Sequence, residues 1–91
     1  MAKSLFLISG NICGERIRLG RALQKPPITQ EELARRLNFN GYMNITSLMI
    51  SRIEKGERHV IDAELKAFSK VLGVSMDWLC GDGDDLDAWK K

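Results

Sequence analysis

The stretch "TQEELARRLNFNGYMNITSLMISRIEKGER", residues 29–58, decides the fold, because it writes one helix-opening syntax twice around an oversized polar interval. Thr29 stands as an N-cap with Glu32 three residues on, the capping-box spacing in which hydroxyl and carboxylate each satisfy an orphan N–H at the helix start. Ile28 and Leu33 take the staple positions around that cap, and Leu33, Ala34 and Leu37 form one apolar face at helical spacing. The syntax repeats at Thr46, with Ile45 and Ile50 as the staple and Met49, Ile50 and Ile53 facing inward. Gly56 supplies a left-handed stop.

Eight residues lie between Leu37 and Thr46, within the polar, turn-rich run "LNFNGYMNIT". Gly41 can end an overrunning helix in the left-handed conformation, and Phe39, Tyr42 and Met43 are apolar enough to pin the interval to a core. Residues 38–45 are therefore expected to form an enlarged, ordered turn inside one motif and not a linker.

On the N-terminal side, a helical pattern over residues 12–24 is stopped by Pro26 and Pro27, which cannot continue a helix. The interval "QKPPIT" is expected at the surface and tolerant of change. On the C-terminal side, Asp62 is expected to cap a fourth helix whose Leu65, Phe68 and Leu72 make a core stripe ending at Gly73. Ser75 is expected to cap a short fifth, with Val74 and Leu79 as its staple and Trp78 beside them. No segment alternates with period two. The expected fold class is all-α: five helices around one core, with residues 1–11 an N-terminal extension, 12–80 the domain and 81–91 an acidic tail.

Composition agrees with one domain. A chain of 91 residues buries roughly 60–70% of its unfolded surface. Its 44% hydrophobic and 29% charged residues are those of a globular chain, not of a disordered or membrane one. The longest apolar run, "LFLI", falls far short of the roughly 20 residues a membrane span requires, and no signal-cleavage pattern follows it, so a cytoplasmic location is expected. Cys13 and Cys80 form neither a CxxC pair nor a disulfide framework and are read as idle thiols. The Asn44-Ile45-Thr46 sequon carries no meaning in a cytoplasmic chain. The net charge of +2 hides a division: residues 16–58 hold nine Lys or Arg against four Glu, whereas residues 81–91 hold four Asp against two Lys. A basic middle suits a polyanion partner, although a solvated, salt-laced surface gives the same count.

The inward set of the third helix leaves Ser47, Leu48, Ser51 and Arg52 on its opposite face. Small polar residues allow close approach to a duplex, hydroxyls donate or accept, and an arginine can pair bidentately with a guanine edge. Leu48 fits less easily, since its tip suits a thymine methyl, a protein partner or plain exposure.

The blocks "GERIR", "TQEELARRL", "ISRIEKGER" and "LGVSMDWL", in this order over residues 14–80, resemble the phage-repressor and Xre-type helix-turn-helix family. The resemblance implies a five-helix, lambda repressor-like domain that binds double-stranded DNA, commonly as a homodimer on a two-fold operator, with the third helix reading bases. It makes Ser47, Leu48, Ser51 and Arg52 base-reading residues, and Arg21, Gln30, Lys55 and Arg58 phosphate-binding ones. Gln30 falls at the N-terminus of the second helix, where free N–H groups and the positive dipole end attract anions. Arg21 matches a family arginine paired with a glutamate at the position of Glu54, and a purely structural ion pair is the equal alternative. Arg35 and Arg36 read as a solvated face, and Tyr42 and Asn44 as packing residues ahead of DNA-backbone contacts. The family's usual turn has three or four residues, so this chain departs from it inside the motif.

No catalytic, cofactor or metal site is expected. His59 is the single histidine and has no partner at catalytic spacing. The run "DGDDLD", residues 82–87, fails as a calcium loop because Leu86 takes the fifth position and Asp87 replaces the glycine at the sixth. No membrane or small-molecule partner is indicated. The expected function is a sequence-specific transcriptional regulator, in its simplest form a repressor. The competing one is a protein-interaction module on the same fold, an antitoxin or coactivator-like adaptor, for which Leu48 is the best evidence. Candidate dimer surfaces are the fifth helix, Trp89 and residues 1–11.

Overall fold

The computed structural model describes residues 10–41 and 44–81. They form five helices: α1, Gly14–Ala22; α2, Gln30–Phe39; α3, Ser47–Glu54; α4, Asp62–Leu72; and α5, Met76–Leu79. No strand occurs among the described residues, so the all-α expectation holds. The readings placed on Tyr42, Met43, Trp89, residues 1–9 and the acidic run 82–87 lie outside the described residues.

Helix α1 packs on α3, α4 and α5; α2 packs on α3 and α4; and α5 closes against α4. The contacts are made by the periodic apolar positions: Ile17, Leu33, Leu37, Ile50, Ile53 and Phe68 are all fully buried. Each such side chain contributes about 1.5–3 kcal/mol by leaving water. The three staple pairs are buried as expected, Ile28 and Leu33 at the start of α2, Ile45 and Ile50 at the start of α3, and Val74 and Leu79 at the start of α5. Thr46 Oγ1 accepts from Met49 N at 3.2 Å, and Ser75 Oγ from Trp78 N at 3.0 Å. Helix α3 ends as its sequence predicts: Gly56 takes φ +79° and Glu57 N donates to Arg52 O at 2.8 Å, satisfying an orphan carbonyl.

Three helix starts differ from expectation. At α2 only half of the capping box forms: Thr29 Oγ1 accepts from Glu32 N at 3.0 Å, but the Glu32 carboxylate turns to Arg35 and Arg36. Two guanidiniums at i+3 and i+4 outbid one backbone N–H, because charge-assisted hydrogen bonds are the stronger. At α4 the cap position is Ile61 and Asp62 is the first helical residue; the Glu64 carboxylate reaches back to Ile61 N at 3.2 Å. Helix α1 is shorter than the 12–24 pattern because Asn11 sets its start, its Oδ1 accepting from Cys13 N at 3.0 Å and Gly14 N at 2.7 Å. Past its end, Gln24 Nε2 donates to Gly20 O and Leu72 O, each at 3.0 Å. Lys25, Pro26 and Pro27 are then exposed, as expected of a surface interval.

Gly41, with φ of +73°, ends α2 as predicted, and among the described residues an amide, not Phe39, ties the two sides of the interval. Phe39 is 82% exposed. Helix α2 runs on to Phe39, and two residues past the buried Leu37 the helical period points outward. Asn38 does the pinning: its Nδ2 donates to Ile45 O at 2.7 Å and its Oδ1 accepts from Ile45 N at 2.9 Å.

Gly14 allows α1 to touch the last turn of α3, since a Cβ there would overlap Ile53 O. Gly14→Ala is expected to lower the unfolding free energy by about 2–3 kcal/mol. The check is a lower denaturant midpoint at unchanged slope.

Candidate nucleic-acid interface

Helix α3 is placed by Ile50 and Ile53, which bury one side of it and thereby fix the other. Leu48 is 62% exposed, Arg52 and Lys55 are exposed, and Ser47 and Ser51 are half-buried beside them. All four residues expected to read bases therefore lie on the side away from the buried pair. The Arg52 guanidinium has no partner among the described residues. Its charge and five donors are available to a ligand.

The N-terminus of α3 is also distinctive. An acidic residue stands in the first turn of α1 (Glu15), α2 (Glu31 and Glu32), α4 (Asp62 and Glu64) and α5 (Asp77), whereas α3 has none. An acid at that position stabilises a helix by about 0.3–1 kcal/mol through the macrodipole. Helix α3 does without it and keeps the positive end that attracts anions.

The two arginines expected at phosphates, Arg21 and Arg58, are held by carboxylates. Arg21 grips Glu54 bidentately, Nε to Oε2 at 2.7 Å and Nη2 to Oε1 at 2.9 Å, and its Nη1 donates to Ile28 O at 2.9 Å. The Arg21–Glu54 ion pair is thus present, with 17% and 4% of the two side chains exposed. Gln30 Nε2 joins it, donating to Glu54 Oε1 at 2.9 Å. That turns the Gln30 amide inward and leaves the backbone N–H groups of α2 as the anion-facing donors at that end. Arg58 is engaged by Glu64, at 3.1 and 3.0 Å, and by His59 O at 3.1 Å. On the flank of α2, hydrogen bonds from Arg35 and then Arg36 hold the Glu32 carboxyl down at about 2. Glu32's contribution to stability is complete above its ordinary value of 4.5 and is lost as pH falls toward 2.

Three residues that shape this surface were not singled out from the sequence: Asn11, Asn38 and Glu64. An asparagine three residues ahead of a helix's first residue is a local signal for the capping half of Asn11's role, but its Nδ2 also donates to Ile53 O at 3.0 Å and Arg58 O at 2.7 Å. Nothing local announces those partners.

Away from this surface, Cys13 and Cys80 line one cavity of about 280 Å³ together with Asn11, His59, Val60 and Leu65. Neither cysteine is in a disulfide. Burial, and then the neighbouring Cys80, push the Cys13 thiol up to about 11, which suits an inert group. Among the described residues no set of three or more His, Cys, Asp or Glu is placed to hold a metal ion, and no helix is long and apolar enough to cross a membrane.

A family profile described as helix-turn-helix matches residues 19–79. No curated protein and no solved structure matches the chain.

Two outcomes are expected for the charge network. Arg21→Met and Glu54→Met are each expected to destabilise by about 2–4 kcal/mol, somewhat below a fully buried pair because Arg21 keeps some solvent. The double variant should cost less than the sum, with a coupling of about 1–3 kcal/mol in a four-chain unfolding cycle. Carboxyl NMR titration should place Glu32 near 2 and return it toward 4.5 when Arg35 and Arg36 are both changed to Ala.

Proposed function

Since the chain belongs to the helix-turn-helix family of Xre and lambda-repressor type, a family of DNA-binding regulators, we propose that it is a sequence-specific transcriptional repressor. It binds a two-fold operator as a homodimer with α3 in the major groove. The observation that carries this reading is the outer face of α3: a guanidinium without a partner among the described residues, small hydroxyls beside it, and a helix start free of acid.

In this arrangement α3 enters the groove and Arg52 donates to a guanine edge. Ser47 and Ser51 are short enough to let the backbone approach, and Leu48 meets a thymine methyl. Lys55 supplies a phosphate contact just past the reading helix, and Arg58 a second from its place against Glu64. Arg21, oriented by Glu54, and the backbone N–H groups at Gln30 take phosphates from the other side of the motif. Repression then needs no bond making, because occupying the site excludes other proteins from it.

A second reading has its own observation. Leu48 and Phe39 are 62% and 82% exposed, and two large apolar side chains on the surface of the motif suit a protein-interaction module. Salt discriminates between the two. Neutralising about three to six phosphates per protomer lowers log affinity by about 0.9 per contact for each unit of log salt, whereas an apolar protein interface responds far less.

Selection of binders from a random duplex pool, followed by titration at two salt concentrations, tests the proposal. A two-fold site with a steep salt slope is expected. Arg52→Ala should cost about 1–3 kcal/mol and relax preference at one base pair, while Lys55→Ala should weaken all sequences alike and reduce the slope by about one. Unchanged affinity and preference in Arg52→Ala would remove this face of α3 from DNA reading.

A further inference from the structure

Residues 10–14, "GNICG", lie ahead of the segment matched to the family, residues 19–79, yet they grip the end of α3. Gly10 N donates to Gly56 O at 2.7 Å. Asn11 Nδ2 donates to Ile53 O at 3.0 Å and to Arg58 O at 2.7 Å, while its Oδ1 accepts from the first amides of α1. One planar amide therefore joins the start of α1, the last turn of α3 and the loop that carries Lys55 and Arg58. The opposite end of α3 is tied by the second asparagine, Asn38, through both backbone groups of Ile45.

We propose that Asn11 is a positioning residue for DNA reading: it holds the C-terminal half of α3, with Arg52 and Lys55, at the angle at which that half meets the bases. The inference rests on the function proposed above. Its physical content is leverage. Helix α3 has 8 residues and is about 12 Å long, so a tilt of about 10° about the end fixed by Asn38 moves the far end by about 2 Å. A shift of that size undoes a bidentate contact, which tolerates about 0.5 Å. The capping half of Asn11 can be kept while the α3 half is lost. A serine or aspartate oxygen still caps α1, but neither side chain can donate to Ile53 O and Arg58 O together.

The test uses the full chain with Asn11→Ser, which is neutral, and Asn11→Asp, which is close in shape. Val71→Ala, on α4 and partly buried against the core, serves as a stability control. At a temperature where all are folded, both Asn11 variants are expected to lose about tenfold in discrimination at the base pair lost in Arg52→Ala, with little change at the pairs read from the Ser47 and Leu48 end. Amide exchange at Gly56 and Glu57, whose N–H groups donate to Ile53 O and Arg52 O, should quicken about tenfold relative to α2, and Val71→Ala should show neither effect. Unchanged discrimination, or loss spread evenly over all base pairs, overturns the proposal. If the unaltered chain shows no sequence preference, the DNA reading itself fails. Exchange then decides separately: selective loosening of residues 56–57 supports the clamp, and uniform loosening overturns it.

Discussion

A carboxylate with 4% of its side chain in contact with solvent must be neutralised where it lies, and Glu54 is the one on which the motif turns. An unpaired charge at such a site costs several kcal/mol. The demand is met from two directions, Arg21 from α1 and Gln30 from the start of α2, and Arg21 Nη1 also donates to the carbonyl of Ile28 in the interval before α2. Glu54 is the last residue of α3, so the same network fixes how α3 sits against the other two helices. Its neighbour in the helical ladder then follows: with Ile50 and Ile53 in the core and Glu54 turned to Arg21, Arg52 is left exposed, with no partner for its guanidinium among the described residues.

What could be read from the sequence was what is written within one helical turn. The caps at Thr46 and Ser75, the stops at Gly41, Gly56 and Gly73, and the apolar stripes depend on partners no more than four or five residues away, so spacing alone identifies them. The features that were not legible are competitions or long-range closures. Glu32 sits at the correct distance to complete a capping box but has two arginines within reach, and spacing does not rank rivals. Phe39 was expected to pack because it is apolar; how far α2 continues decided otherwise. Asn11 meets partners 42 and 47 residues away, and no pattern in a single chain links those positions.

The candidate site divides in the same way. Which residues face outward on α3 follows from periodicity, and the structure places Ser47, Leu48, Ser51 and Arg52 together as the pattern required. Which basic residues are held and which are not does not follow, because it depends on carboxylates brought in by folding. Arg21, Arg35, Arg36 and Arg58 are each paired with a glutamate, while Arg52 and Lys55 carry exposed charges on or beside α3.

That division bears on how a reader of this build would separate its target from other DNA. Attraction that ignores sequence grows with the number of cations that meet phosphates. A guanidinium shared with a carboxylate adds little to the long-range field, yet it arrives already oriented and loses less side-chain freedom on contact. With four of the arginines near the motif so paired, the field pulling the protein onto any duplex is modest, while Arg52 stands on a short helix tied at both ends by asparagine amides. On the proposed function, discrimination falls to a few rigidly placed groups and non-specific affinity is kept low. The same logic accounts for the missing acid at the start of α3: a carboxylate there would strengthen the helix slightly and oppose the partner at the point where the two come closest.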